Sequence, residues 1–288
     1  MPILIYGLIN SLILLITALG FSLVYGISRI PNFAHGAVYI LTGYIVWTLF
    51  RLLHVNYMVA IVVALVVVSL IGAAIYKFLL RRVRGMALSE IIVSLAIGMI
   101  LMEGLHAAGF TTMGYTNPSF VRGTVSIVGV TVDYQRVIIV VGGAALLLCI
   151  WAFTHYTKAG LALRGIAQDE RAAMMLGIDS NLAATMSLAI GSALAGLAAV
   201  IILPLSSLFV ETGYDALTLA IAVCILGGLG SWPGTIAGAF LLGYAEMIPI
   251  ALGVPHYQIV VFLFAIILVL ILRPSGLVGK QRELEERV

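Results

Sequence analysis

Apolar runs of about twenty residues succeed one another along almost the whole chain, each closed by a few polar or helix-breaking residues. The first covers about residues 5–28 and stops at Arg29. A short polar break, Ile30-Pro-Asn-Phe-Ala-His35-Gly36, precedes a second run over 37–50. The third, 57–80, ends among Lys77, Arg81, Arg82 and Arg84, and the fourth, 88–110, carries Glu103 and His106. Five more follow, over about 134–153, 181–203, 214–229, 235–252 and 257–272. Runs of this length predict membrane-spanning helices, because in hydrocarbon a helix satisfies its own backbone polar groups. The pattern therefore predicts an all-α polytopic membrane protein, one bundle over residues 1–288 with about nine transmembrane helices. Eight to ten are allowed, since the break at 30–36 and the seventh run are each either a crossing or a re-entrant piece.

Two segments depart from that pattern. Residues 110–133 are rich in Gly, Thr, Asn and Pro, and Thr124-Val-Ser-Ile-Val-Gly-Val-Thr-Val132 alternates around Val128-Gly129. That alternation predicts a small β-hairpin. Residues 154–184 form the longest polar island. Within it, 167–177 reads as a short capped helix: Gln168 and Asp169 at the N-cap, Glu170 as an anion in the first turn, Gly177 as the left-handed exit. Ile166, Met174 and Ile178 recur at near-helical spacing and give it one apolar face. Such a helix either lies in the headgroups as a connector or docks onto another protein.

Composition agrees with the runs. The chain is 62% hydrophobic and 9% charged, with a mean hydropathy of +1.19; soluble domains carry roughly 25% charged residues. The position of the charges says more than the net +3. With Arg29, the Lys77 to Arg84 cluster, the polar island and the tail on one side, that side holds twelve of the 15 basic residues. Only Arg51, Arg122 and Arg136 remain for the other. The positive-inside rule then makes the island and C-terminus cytoplasmic, and the N-terminus and hairpin external. No cleavable signal is expected, because residues 1–6 lack a cationic region. Cys149 and Cys224 each lie inside an apolar run and read as small core residues, with no metal site.

Three kinds of feature inside the runs bear on chemistry. Asn32 and His35, beside Pro31 and Gly36, either line a polar path or support a tight interhelical turn. Glu103 and His106 share one face of the fourth helix, and Glu246 lies in the eighth. A mid-membrane carboxylate costs about 2.5–3.5 kcal/mol on insertion scales and usually faces the bundle interior or water. These carboxylates either serve an ion-coupled transporter or are paired within the bundle or at the outer interface. Small residues at i, i+4 spacing (Gly191 and Ala195, Ser192 and Gly196, and Gly230, Gly234, Gly238) allow close helix approach, within this chain or between subunits. The five histidines are scattered and form no catalytic constellation.

In the polar island, Glu170-Arg-Ala172-Ala173-Met-Met-Leu-Gly177 fits E-x-A-A-x-x-x-G. This segment resembles the cytoplasmic coupling loop of ABC importer permeases. Asn32-Phe-Ala-His35-Gly36, Leu163-Arg-Gly-Ile-Ala-Gln-Asp-Glu170, Leu226-Gly-Gly-Leu-Gly-Ser-Trp-Pro-Gly234 and Leu272-Arg-Pro-Ser-Gly276 are together similar to the LivH-type permease of branched-chain amino acid transporters, in the same order. Each motif alone is weak; the ordered set is specific.

The resemblance implies a bacterial-type inner-membrane permease paired with a LivM-like second permease, two cytoplasmic ATPase subunits and an extracytoplasmic substrate-binding protein, with no nucleic-acid partner. The chain has no G-x-x-x-x-G-K-[ST], so ATP and magnesium belong to the partners. By the resemblance, Asp169, Glu170, Ala172, Ala173 and Gly177 make the ATPase contact, with Arg164 and Arg171 as further cations. Asn32, His35, Glu103 and Glu246 are the pathway candidates. Leucine, isoleucine and valine are the default substrates, although the same architecture serves other amino acids, urea and short amides. The rival reading is a secondary transporter or channel driven by an ion gradient. Its mark would be broken helices repeated in two halves, and no internal repeat stands out in the sequence.

Overall fold

The computed structural model describes residues 2–110, 114–121, 123–127 and 129–279. Val128 of the expected hairpin, residues 111–113, Arg122 and the charged tail from Lys280 lie outside them. The chain is helical almost throughout. In order it forms α1 (Pro2–Ser28), α2 (His35–Arg51), α3 (Tyr57–Ala74), a π-helical turn (Ile75–Leu80), α4 (Arg81–Val83) and α5 (Ala87–Ala107). Strands β1 (Thr124–Ile127) and β2 (Val130–Asp133) then pair antiparallel, Thr124 opposite Asp133. After them come α6 (Tyr134–Tyr156), α7 (Lys158–Gln168), α8 (Glu170–Met175), α9 (Ser180–Ile202), α10 (Thr212–Gly227), α11 (Trp232–Ala245), α12 (Met247–Ala251) and α13 (Gln258–Leu272).

Among the described residues, seven helices are long and apolar enough to cross a membrane: α1, α3 with its extension to Val83, α5, α6, α9, α11 with α12, and α13 with the turn before it. The second and seventh runs do not reach that length. At 1.5 Å per residue, α1 with 27 residues spans about 40 Å, whereas α2 with 17 and α10 with 16 span only about 25 Å. The hydrocarbon core needs about 30 Å.

The two short helices begin side by side in the bundle interior and run to opposite ends. A Cβ placed on Gly36 would lie 2.0 Å from the Gly213 carbonyl oxygen, and one on Gly213 would lie 2.8 Å from that of Gly36. From there α2 runs toward the end that holds the hairpin, where Gly43 meets Leu203 and Leu208. The opposite course takes α10 to the end where Gly230 approaches Gly26, near the close of α1.

This arrangement reveals a repeat that the sequence hides. Against α11, α1 packs as α9 packs against α3; α2 lies on α9 as α10 lies on α1; α2 touches α3 as α10 touches α11. The two halves therefore interlock about a pseudo-twofold axis. Gly20 and Gly191, from α1 and α9, meet on it backbone to backbone, with the Gly191 carbonyl oxygen 2.5 Å from a Cβ built on Gly20. The small residues of α9 thus pack within this chain. Ser192 faces Gly72 of α3, and Gly196 faces Thr42 of α2.

The polar break is what admits the short helix. Arg29 ends α1 in the left-handed region at φ 56°. Asn32 then turns the chain: its side-chain oxygen accepts from Ala34 N, and its carbonyl accepts from His35 N at 3.2 Å. Ser94 of α5 holds the turn from the other side, accepting from Phe33 N and donating to the Pro31 carbonyl. At the far end, Leu277 N and Val278 N donate to the carbonyls of Leu226 and Gly227. Two motifs distant in sequence, around Leu226-Gly-Gly-Leu-Gly and Arg273-Pro-Ser-Gly276, are therefore one structure that closes the end of α10. Of the two cysteines, Cys224 is buried as expected, but Cys149 lies on the exposed face of α6.

Candidate functional site

The polar island folds as two helices where one was expected. Thr157 caps α7 by accepting from Gly160 N, and α7 continues through Gln168. Gln168 is thus a last-turn residue, and Asp169 alone caps α8, accepting from Ala172 N at 3.0 Å. The exit is a Schellman turn: Ile178 N donates to Ala173 O and Gly177 N to Met174 O, with Gly177 at φ 85°. Asp179 then caps α9 through the N–H groups of Asn181 and Leu182. Caps at both ends fix the short α8 with little help from its own length.

The expected ATPase-contact residues separate by role. Asp169 caps, Ala173 is buried, Gly177 turns the chain and Ala172 is exposed. Glu170 is exposed but held to its own chain: its Oε1 pairs with Arg84 Nη2 at 2.5 Å and accepts a short hydrogen bond from the Ser180 hydroxyl. Of the three residues assigned to an apolar face, Ile166 is buried and Ile178 half-buried, but Met174 points outward. With it go Met175, 88% exposed, and Leu176, 84% exposed. This three-residue apolar tip was missed from the sequence, although an uninterrupted Met-Met-Leu inside a polar island was its signal.

The four pathway candidates do not converge. Asn32, 3% exposed, serves the turn described above, and His35, 1% exposed, donates from Nε2 to the Thr17 carbonyl of α1 at 3.0 Å. The Phe21 ring stands edge-on to His35 at 6.0 Å. Glu246 accepts a short hydrogen bond from Asn10 of α1, and its carbonyl accepts from Gln258. Glu103 is different. It lies on an exposed face of α5, where His106 approaches it and Glu211 at 3.6 Å each. The His35→Leu variant is expected to lose about 0.5–1.5 kcal/mol of stability with the hydrogen bond to the Thr17 carbonyl. Thermal unfolding in detergent should register that loss, while the pH profile of uptake stays unchanged.

Residues 3–272 match the family described as "Branched-chain amino acid transport system / permease component". The chain belongs to this permease family. It is 31% identical over 280 residues to the high-affinity branched-chain amino acid transport system permease protein BraD of Pseudomonas aeruginosa, covering 91% of this chain and 90% of that one. To the corresponding LivH protein of Escherichia coli K12 it is 29% identical, with the same coverage. A solved structure, PsaBC from Streptococcus pneumoniae in complex with Fab, shares the fold with a TM-score of 0.53 at 16% identity, over 100% of this chain and 96% of that one.

Proposed function

We propose that this permease is the membrane-spanning subunit of an ATP-driven importer for branched-chain or related amino acids. Family membership over nearly the whole chain carries the reading. In this proposal it pairs with a second permease, two cytoplasmic ATPases that bind ATP and magnesium, and an external binding protein. The end bearing Arg29, Arg84, α8 and the strand of chain after α13 is cytoplasmic. The support is that these segments, which carry most of the described basic residues, lie at one end of the bundle: Arg84 bonds Glu170, and Arg29 reaches the Ala167 carbonyl. The hairpin end is then external.

The coupling element in this reading is α8, with Met174, Met175 and Leu176 seated in a groove of the ATPase. An exposed apolar tip at the end of a doubly capped helix suits docking better than solvation. Closure of the ATPase pair then pushes α8 and switches the bundle between outward- and inward-open arrangements. Of the four pathway candidates, Glu103 keeps that role here, because a carboxylate beside His106 and Glu211 belongs against water or protein and not hydrocarbon. Asn32, His35 and Glu246 act as helix fasteners.

Uptake of radiolabelled leucine by membrane vesicles tests the class. Uptake is expected to stop when ATP is removed with the ion gradients held. Uptake that survives ATP removal and collapses with the gradient would establish the secondary-transporter reading instead.

A further inference from the structure

The Arg84 guanidinium, just beyond α4, joins three parts of the molecule. Its Nη2 donates to Glu170 Oε1 and to Ser180 Oγ, each at 2.5 Å, and its Nη1 donates to Asn181 Oδ1 at 3.0 Å. Tyr76, on the π-helical turn, donates its hydroxyl to the same Asn181 oxygen at 3.0 Å. The network thus ties α8 and the first turn of α9 to the end of α3. An isolated surface ion pair contributes little to stability. Here a planar fork engages a carboxylate, a hydroxyl and an amide together, which fixes direction as well as distance.

Backbone continuity links α8 only to α7 and, through Gly177 to Asp179, to α9. The third element, α3, is joined to α8 only by the long way round through α5 to α7, yet it packs along α9 and belongs to one half of the interlocked repeat. Its cytoplasmic end is also unusual. Ile75–Leu80 is a six-residue π-helical segment, a form that is rare and tends to mark functional sites within helices. Only the short α4 separates Arg84 from it, so a displacement of Glu170 reaches that segment by a short path.

We propose that Arg84 is a positioning residue that carries displacement of α8 into α3. This rests on the reading of α8 as the ATPase-docking element. Glu170, expected at the ATPase surface and exposed there, is also the residue that Arg84 grips. The ATPase stroke then drives α9 through the backbone and α3 through the guanidinium.

The test uses the complete transporter with Cys149→Ser, so that only introduced cysteines take spin labels, since Cys224 is buried. Labels go on Phe78→Cys, at the end of α3, and on Leu182→Cys, in the first turn of α9, each measured against Ile271→Cys of α13. All three positions are exposed. Trapping with MgATP and vanadate is expected to shift both distances in the otherwise native complex. With Arg84→Ala the Leu182 shift persists and the Phe78 shift falls below half, while the ATPases still co-purify. Arg84→Lys restores part of the Phe78 shift, because an ammonium reaches Glu170 but cannot fork onto Ser180 and Asn181. Glu170→Gln serves where Arg84→Ala fails to assemble, and is expected to reduce the same shift. A full Phe78 shift in Arg84→Ala and Glu170→Gln overturns the proposal and leaves the docking of α8 standing. Shifts absent from the native complex despite bound ATPases overturn the docking reading, and the proposal with it.

Discussion

A chain carrying Met175→Glu with Leu176→Glu is expected to insert and fold as before but to be purified without its ATPases. Both side chains are more than four-fifths exposed at the tip of α8 and touch little of their own chain, so the bundle has little to lose. A partner groove that buries them loses apolar contact and must also desolvate two carboxylates. Buried apolar anchors at interfaces are worth about 2 kcal/mol or more each, which is about 30-fold in affinity for a single anchor. Two adjacent charges are expected to exceed that. Co-purification from native membranes reads the loss directly, and size exclusion of the variant checks that the bundle is intact. The control is Lys158→Ala, at the start of α7 and exposed, which removes a charge without placing one in an apolar groove. Retention of both ATPases and of leucine uptake by the double variant would move the docking surface away from α8.

Much of this molecule was legible from apolar run length. The nine runs all became helices, because twenty apolar residues leave the backbone one way to satisfy itself in lipid. Caps were readable too: Asp169 and Gly177 do what their residue types favour. The half-length of α2 and α10 was not legible. Whether seventeen residues cross a bilayer or start inside a bundle depends on what meets their first turn, and Gly36 meets Gly213 across 177 positions of sequence. The repeat is hidden in the sequence for a related reason. Its two halves share packing geometry, set by glycines and small residues, and share few polar positions: Asn32 and His35 have no counterparts of like type before α10.

Individual side chains were the least legible part. Glu170 is the exposed first-turn anion that its position predicts, where an acid favours the helix dipole. Its partner was not legible, because Arg84 lies 86 residues away in a cluster whose sequence shows only positive charge. Met174 was assigned to a packed face by spacing alone. A six-residue helix is too short for periodicity to fix its rotation, and the Schellman turn at Gly177 decides it instead.

The second large effect is expected at the meeting point of the short helices. A Cβ on Gly36 collides with backbone, 2.0 Å from the Gly213 carbonyl oxygen and 2.9 Å from its carbon. Neither atom can move aside without shifting α10. On Gly213 the nearest atom is the mobile Met102 Cε at 2.6 Å, with the Gly36 carbonyl oxygen at 2.8 Å. Gly36→Ala is therefore expected to cost more than Gly213→Ala, at or above the upper end of the roughly 1–3 kcal/mol typical of overpacking. Gly104→Ala, with nothing within 4 Å on α5, should be neutral to mildly stabilising, by up to about 1 kcal/mol. Thermal unfolding of the three variants in detergent gives the order directly. The expected ranking is Gly36 worst, Gly213 next and Gly104 neutral or better, and it follows from which neighbour can yield. If Gly36→Ala matched Gly104→Ala, the two half-length helices would not meet there. The interlocked repeat would then lose the contact at which its short helices begin.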